Sequence, residues 1–219
     1  MRKVCGHFSH IPTRMSLKER KINVKLSKIA DISIGIILAR KQDRLRENNI
    51  YIYDSITLKS IQSSGIINKE SLEKVFLKDR IDENLLTKKG DVVIRLSEPY
   101  IAIYIDENLS GLVVPSNFAI IRLFNESISG EFLKFYLNSS SGRKEILKVS
   151  GGSNLNTINI SNLKQIEIKM LDEEKQRKFV KINRLFIKEE ILLTALIDEK
   201  RKYLNSINKI ILAQMEDIL

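Results

Sequence analysis

Three groups of residues in this 219-residue chain have the types and spacing that could do chemistry. Cys5, His7 and His10 are close together and are donors that a transition metal accepts. They lie on a stretch with no hydrophobic period and no fourth ligand nearby, so they read as incidental and no metal site is expected. Asp91, and the Glu-x-Lys pattern of Glu167 to Lys169, faintly match the carboxylate and lysine content of a metal-dependent nuclease. Glu-x-Lys recurs by chance, and Glu167 alternates outward on an amphipathic strand, so chance is the stronger reading. The third group is "GGSNLNT", Gly151 to Thr157, where two glycines that permit close backbone approach precede Ser153, Asn154 and Asn156. Those short side chains either present donors and acceptors outward or close a tight loop, with Ser161 as the N-cap of a following helix. A nucleotide-binding glycine loop and an Asn-Pro-Pro-aromatic motif are both missing, and the two histidines lie in the first ten residues. Catalysis by this chain is therefore not expected.

Such residues need elements to hold them. From Val24 the chain runs in short alternating, β-branched segments: "VKLSKIADI", "IYIYDSITL", "DVVIRL", "YIAIYID" and "FAIIRLF". Turn signals separate them at Gly90-Asp91, Glu98-Pro99 and Pro115-Ser116-Asn117. Gly130 to Lys148 places Phe132, Leu133, Phe135, Tyr136, Leu137, Ile146 and Leu147 on roughly one helical face, interrupted at Ser139-Ser140-Ser141-Gly142. The fold class is α+β: a basic tail over 1–20, a mixed α/β domain over 21–171, and a long helix over 172–219. The net charge of +10 is uneven, because residues 1–28 hold eight cations and one acid while the rest nearly balances. A polyanion would therefore be met by a local face. No apolar run approaches the eighteen or so residues of a membrane span, and the amino terminus lacks an apolar signal core. With Cys5 as its only cysteine the chain forms no internal disulfide, which fits a reducing, cytoplasmic setting.

The final segment has its own logic. Asp172 can cap a helix, Glu173 and Glu174 suit its positive end, and no Gly or Pro follows to Leu219. Phe179, Ile182, Phe186, Glu189, Leu193, Leu196, Lys200, Tyr203, Ile207 and Ile210 alternate by three and four, which is a coiled-coil seam. In an antiparallel homodimer whose facing residue numbers add to 389, Leu193 meets Leu196, Phe186 meets Tyr203, Ile182 meets Ile207 and Phe179 meets Ile210. Glu189 then faces Lys200, and a slip of one heptad would set both charges against apolar partners. The alternative is that the two charges mark the solvated edge of a helix packed elsewhere.

These segments, in this order, resemble the specificity (S) subunits of type I restriction-modification systems. The likeness runs over roughly Lys25 to Ile211. It is carried by "VKLSKIADISIG", "LLTKKGDVVI", "VVPSNFAIIRL", "FLKFYLNS", the glycine-led stretch, and a helix entry "MLDEEKQRKF" in which Gln176 and Phe179 match and Asp172 replaces a proline. The resemblance implies a half-length subunit with one target recognition domain, whose homodimer reads an inverted repeat in double-stranded DNA. It also implies a methyltransferase (modification) subunit that uses S-adenosylmethionine, and a restriction subunit, as partners, with no cofactor in this chain. Phosphates would then be met by Arg40, Lys41 and Arg44, by Arg143, Lys144 and Lys148 beside the glycine loop, and more weakly by Lys59. Base edges would be met by Ser153, Asn154 and Asn156, with Arg95, Ser97 and Tyr100 as readers or rim. A coiled-coil scaffold without a DNA role is the remaining alternative, beside the nuclease.

Overall fold

The computed structural model of the chain describes residues 23–38, 51–150 and 157–216. Its centre is a four-stranded antiparallel sheet in the order β2 (Ala30–Ile34), β7 (Phe118–Leu123), β5 (Val92–Arg95), β6 (Ala102–Tyr104). Alternation divides its side chains between two cores. Ile32, Val92, Ile94, Ala119 and Ile121 face helices α1 (Gly130–Asn138), α2 (Ser140–Ser150) and α3 (Ile160–Leu163), while Val93, Ile103, Phe118 and Ile120 face Ile56, Ile67 and Val114. Two small antiparallel pairs complete the head, β1 (Asn23–Lys25) with β8 (Glu167–Lys169), and β3 (Tyr51–Ser55) with β4 (Glu73–Leu77). The final element is α4 (Glu173–Glu216), about 66 Å long at 1.5 Å per residue.

The expected break in the helical stretch is real: Ser139 is extended between α1 and α2, and Gly142 permits the tight turn. A Cβ there would lie 2.0 Å from the Tyr136 carbonyl oxygen, so only glycine lets α2 start this close to α1. Strand β4 has no counterpart in the sequence reading, and Ser161 is not the cap of α3. Asn159 takes that place, its Oδ1 accepting from the Asn162 N–H at 2.8 Å.

Two side chains of α1 tie it to the sheet layers. Asn138 accepts from the Ala102 N–H and donates to the Ala102 carbonyl, both at 2.8 Å, and so occupies part of the outer edge of β6 as a neighbouring strand would. Lys134 is buried, and its Nζ donates to the Ser64 carbonyl at 3.2 Å. Burial lowers its pKa, so folding penalises the charged form. Between the lowered folded value and the ordinary 10.5 the unfolded chain binds more protons, and stability must rise with pH in that window. Lys134→Met is expected to keep its stability at pH 7 within about 1 kcal/mol and to lose this rise. Urea titrations at pH 7 and pH 10 read both.

Candidate nucleic-acid interface

The residues singled out from sequence fall into four sets. Arg40, Lys41 and Arg44, and Ser153, Asn154 and Asn156, lie outside the described residues, as do Cys5, His7 and His10. The second set gathers around the two ends of the glycine segment. Helix α2 leads into it, carrying Arg143, Lys144 and Lys148 and ending at Ser150. On its far side Thr157 bridges antiparallel to Ser97, and the Ile158 N–H donates to the Leu96 carbonyl at 2.8 Å. Ser97 in turn accepts from Arg95 Nε at 2.9 Å. A cationic helix thus precedes the segment in the chain and a polar strand end follows it, and Ile146 and Ile158 anchor these two flanks in the core.

Not every cation there is equally available. Lys148 donates to Glu145 at 2.6 Å, a contact that raises the lysine's pKa and offsets its charge. Arg143 leans back onto the Asn138 carbonyl at 3.4 Å, while Lys144 is exposed. Lys59 sits in the turn after β3, in the layer on the other face of the sheet, and does not join this group.

Tyr100 is corrected from reader to anchor. It is 5% exposed within the larger core, with φ of 52°, and its N–H closes the turn onto the Ser97 carbonyl at 2.9 Å. A tyrosine in the left-handed region is strained, and the buried ring holds it there. Ser97, across the same turn, is half-buried.

The carboxylates suspected of nuclease chemistry are engaged elsewhere. Asp91 is 2% exposed and grips Arg122 with both oxygens, Nε at 2.8 Å and Nη2 at 2.7 Å, while also accepting from the Lys88 N–H. This contact raises the Arg122 pKa further. Glu167 is exposed and accepts from Asn23 Nδ2 at 3.1 Å. Among the described residues no three His, Cys, Asp or Glu side chains gather as metal ligands, and no helix is long and apolar enough to cross a membrane.

The last set lies on α4, whose start is locked to the head. Asp172 caps it, accepting from the Lys175 N–H at 2.9 Å. Gln176, 3% exposed, donates from Nε2 to the Ser127 and Leu171 carbonyls, both at 2.9 Å, and accepts from the Ser129 N–H at 3.0 Å. One turn on, Phe179 stacks on Phe135 with centroids 5.8 Å apart, Val180 is buried, and Arg184 pairs with Glu131 of α1. Phe179 is therefore shared between head and seam, which the spacing alone did not indicate. Numbering the heptad with Phe179 at position a, the head covers e and b: Gln176, Val180, Asn183 and Ile187, buried or half-buried. The seam lies about a quarter turn away. Leu193 and Leu196 are 53% and 65% exposed, and among the seam residues only Ile207 is half-buried.

No protein-family model and no curated protein matches the sequence. Solved structures do match. The HsdS subunit from Thermoanaerobacter tengcongensis aligns with 83% of this chain at 19% identity and a TM-score of 0.59, over 45% of its own length. The type I restriction-modification S subunit from M. genitalium aligns with 87% at 16% identity and a TM-score of 0.55, again over 45% of that chain. A chain from a type I R-M system, whose structure addresses complex assembly and conformational transition, aligns with 78% at 17% identity and a TM-score of 0.56, over 43% of its length. Head and rod together thus have the fold of type I restriction-modification S subunits, and the chain spans just under half the length of those it matches.

Proposed function

We propose that this chain is a non-catalytic specificity subunit of a type I restriction-modification system, one recognition domain on one rod, which pairs antiparallel with a second copy to read an inverted repeat in double-stranded DNA. The observation that carries this reading is the shared fold, joined to a seam whose apolar residues beyond Phe179 are covered by no described part of their own head. Pairing in the register set by Glu189 and Lys200 brings Val180 level with residue 209 of the other rod. The two head-rod junctions are then about 43 Å apart, a little more than one turn of B-DNA. Arg95, Ser97 and Lys144 beside the glycine segment make up the described part of the DNA face. Arg40, Lys41 and Arg44 add phosphate contacts. Leu185, Ile191 and Leu192 lie outside both head contact and seam, and offer apolar surface to a modification subunit that brings S-adenosylmethionine and to a restriction subunit. This reading places the protein in the cytoplasm, where it acts in defence against foreign DNA.

A filter-binding titration tests the DNA role. Affinity for duplex is expected to fall linearly on a log-log plot against salt, by roughly one unit of slope per phosphate contact. The Arg40→Ala/Lys41→Ala/Arg44→Ala variant is expected to bind at least about tenfold more weakly with a shallower slope and an unchanged melting curve. No retention of duplex by the wild type at low salt would instead favour a scaffold.

A further inference from the structure

We propose that the far half of α4 carries a second docking face, Ile197, Leu204 and Ile211, which packs against the head of a second copy of the chain beside Phe135. This rests on the antiparallel pairing proposed above and names a contact which that pairing alone does not require.

All three residues occupy heptad position e, one step round the helix from the seam. In the near half of the rod this position is polar, Gln176, Asn183 and Glu190, and the first two face the head of their own chain. In the far half it is apolar, and each residue there is about half exposed: 52% for Ile197, 49% for Leu204 and 49% for Ile211. Nothing among the described residues of their own chain covers them. A simple coiled coil places polar or charged residues at e, so a run of three apolar ones implies that more than a partner rod lies on that side.

The change from polar to apolar falls between Glu190 and Ile197. The charge match of Glu189 with Lys200 independently puts the centre of the pair between Leu193 and Leu196. The two midpoints coincide, although they come from different residues on different faces.

Antiparallel geometry explains why the coincidence matters. In such a pair the e side of one helix lies beside the e side of the other, so the far half of each rod runs along the side on which the partner's head is seated. At that boundary the head offers an apolar ledge. Phe135 is half-buried and stacks on Phe179, which remains 42% exposed. Ile211 reaches the level of the Gln176 and Phe179 turn, and Leu204 the level of Asn183. Both heads then stand on the same side of the paired rods, where one straight duplex can meet both.

Sedimentation equilibrium on the full chain tests this. The wild type is expected to be a dimer at micromolar concentration. Ile211→Ala and Phe135→Ala should each weaken it by about tenfold, and together by no more than the stronger of the two. Leu204→Glu with Ile211→Glu, exposed positions in the single chain, should weaken it at least about a hundredfold. Leu212→Glu, on the outer face, should leave it unchanged. A wild type that stays monomeric at roughly 100 micromolar overturns the pairing and this docking face together. A dimer indifferent to Leu204→Glu/Ile211→Glu, or additive losses in the alanine pair, overturns the docking face alone.

Discussion

Leu193→Glu is expected to leave the protein monomeric at concentrations where the wild type is dimeric, with the dissociation constant raised at least about a thousandfold. Symmetry doubles the effect, because Leu193 faces Leu196 in two equivalent layers at the centre of the pair. Each copy loses roughly 1.5 to 3 kcal/mol of side-chain burial. Each also places a carboxylate among apolar groups, which costs several kcal/mol without a partner. Even half of that exceeds the roughly 4 kcal/mol that a thousandfold change requires. The head should not respond, since Leu193 is 53% exposed and lies beyond the last head contact at Ile187. Sedimentation reads the association and circular dichroism the fold. Register can be probed separately. Glu189→Lys should weaken the dimer by setting like charges together, and adding Lys200→Glu should restore it. A Leu193→Glu variant that still sediments as a dimer removes the assigned seam.

The second large effect concerns the head. Asp91→Ala is expected to destabilise it by about 3 to 5 kcal/mol, the cost of breaking a buried ion pair from one side. Arg122 would keep the Asn84 and Leu86 carbonyls, each at 3.2 Å, but no counter-charge at Nε, and the Lys88 N–H would lose its acceptor. Replacing both partners, Asp91→Leu with Arg122→Met, should recover much of the loss, because two apolar side chains leave no charge stranded. Guanidinium denaturation of the three variants measures this directly. A loss under about 1 kcal/mol for Asp91→Ala would mean that the pair is solvated in solution and contributes as a surface pair does.

The β-branched, apolar character of the runs located β5, β6 and β7, because each is packed on both faces and bounded by turn residues. It missed β4, "EKVFL", whose two exposed residues are charged and whose pairing with β3 depends on a partner about twenty residues away. Arg122 was legible in principle. Val92 pairs with Ile121, so Asp91 comes opposite Arg122, but that requires knowing the register rather than the segments. Tyr100 could not be placed from its neighbours, since a polar-tipped ring after Pro99 looks the same whether its turn aims it inward or outward. Asn159 and Ser161 are both good caps two residues apart, and the choice between them depends on where the chain leaves Ile158 in the core. The helix entry was read correctly down to Asp172. Gln176 was noted there only as part of a resemblance, and what it touches was invisible because the Ser127 carbonyl and the Ser129 N–H lie in the loop between β7 and α1, far back in the chain.

A greasy joint between head and rod could slip by a fraction of a turn at little cost. Gln176 instead meets two carbonyls and one N–H, and hydrogen bonds weaken steeply when misaligned. The amide therefore sets the azimuth of α4 as well as its point of departure. An unbroken helix advances about 100° per residue, so that angular phase is carried undiminished to Leu204 and Ile211. Which way the distant end looks is thus decided at Ser127, Ser129 and Leu171.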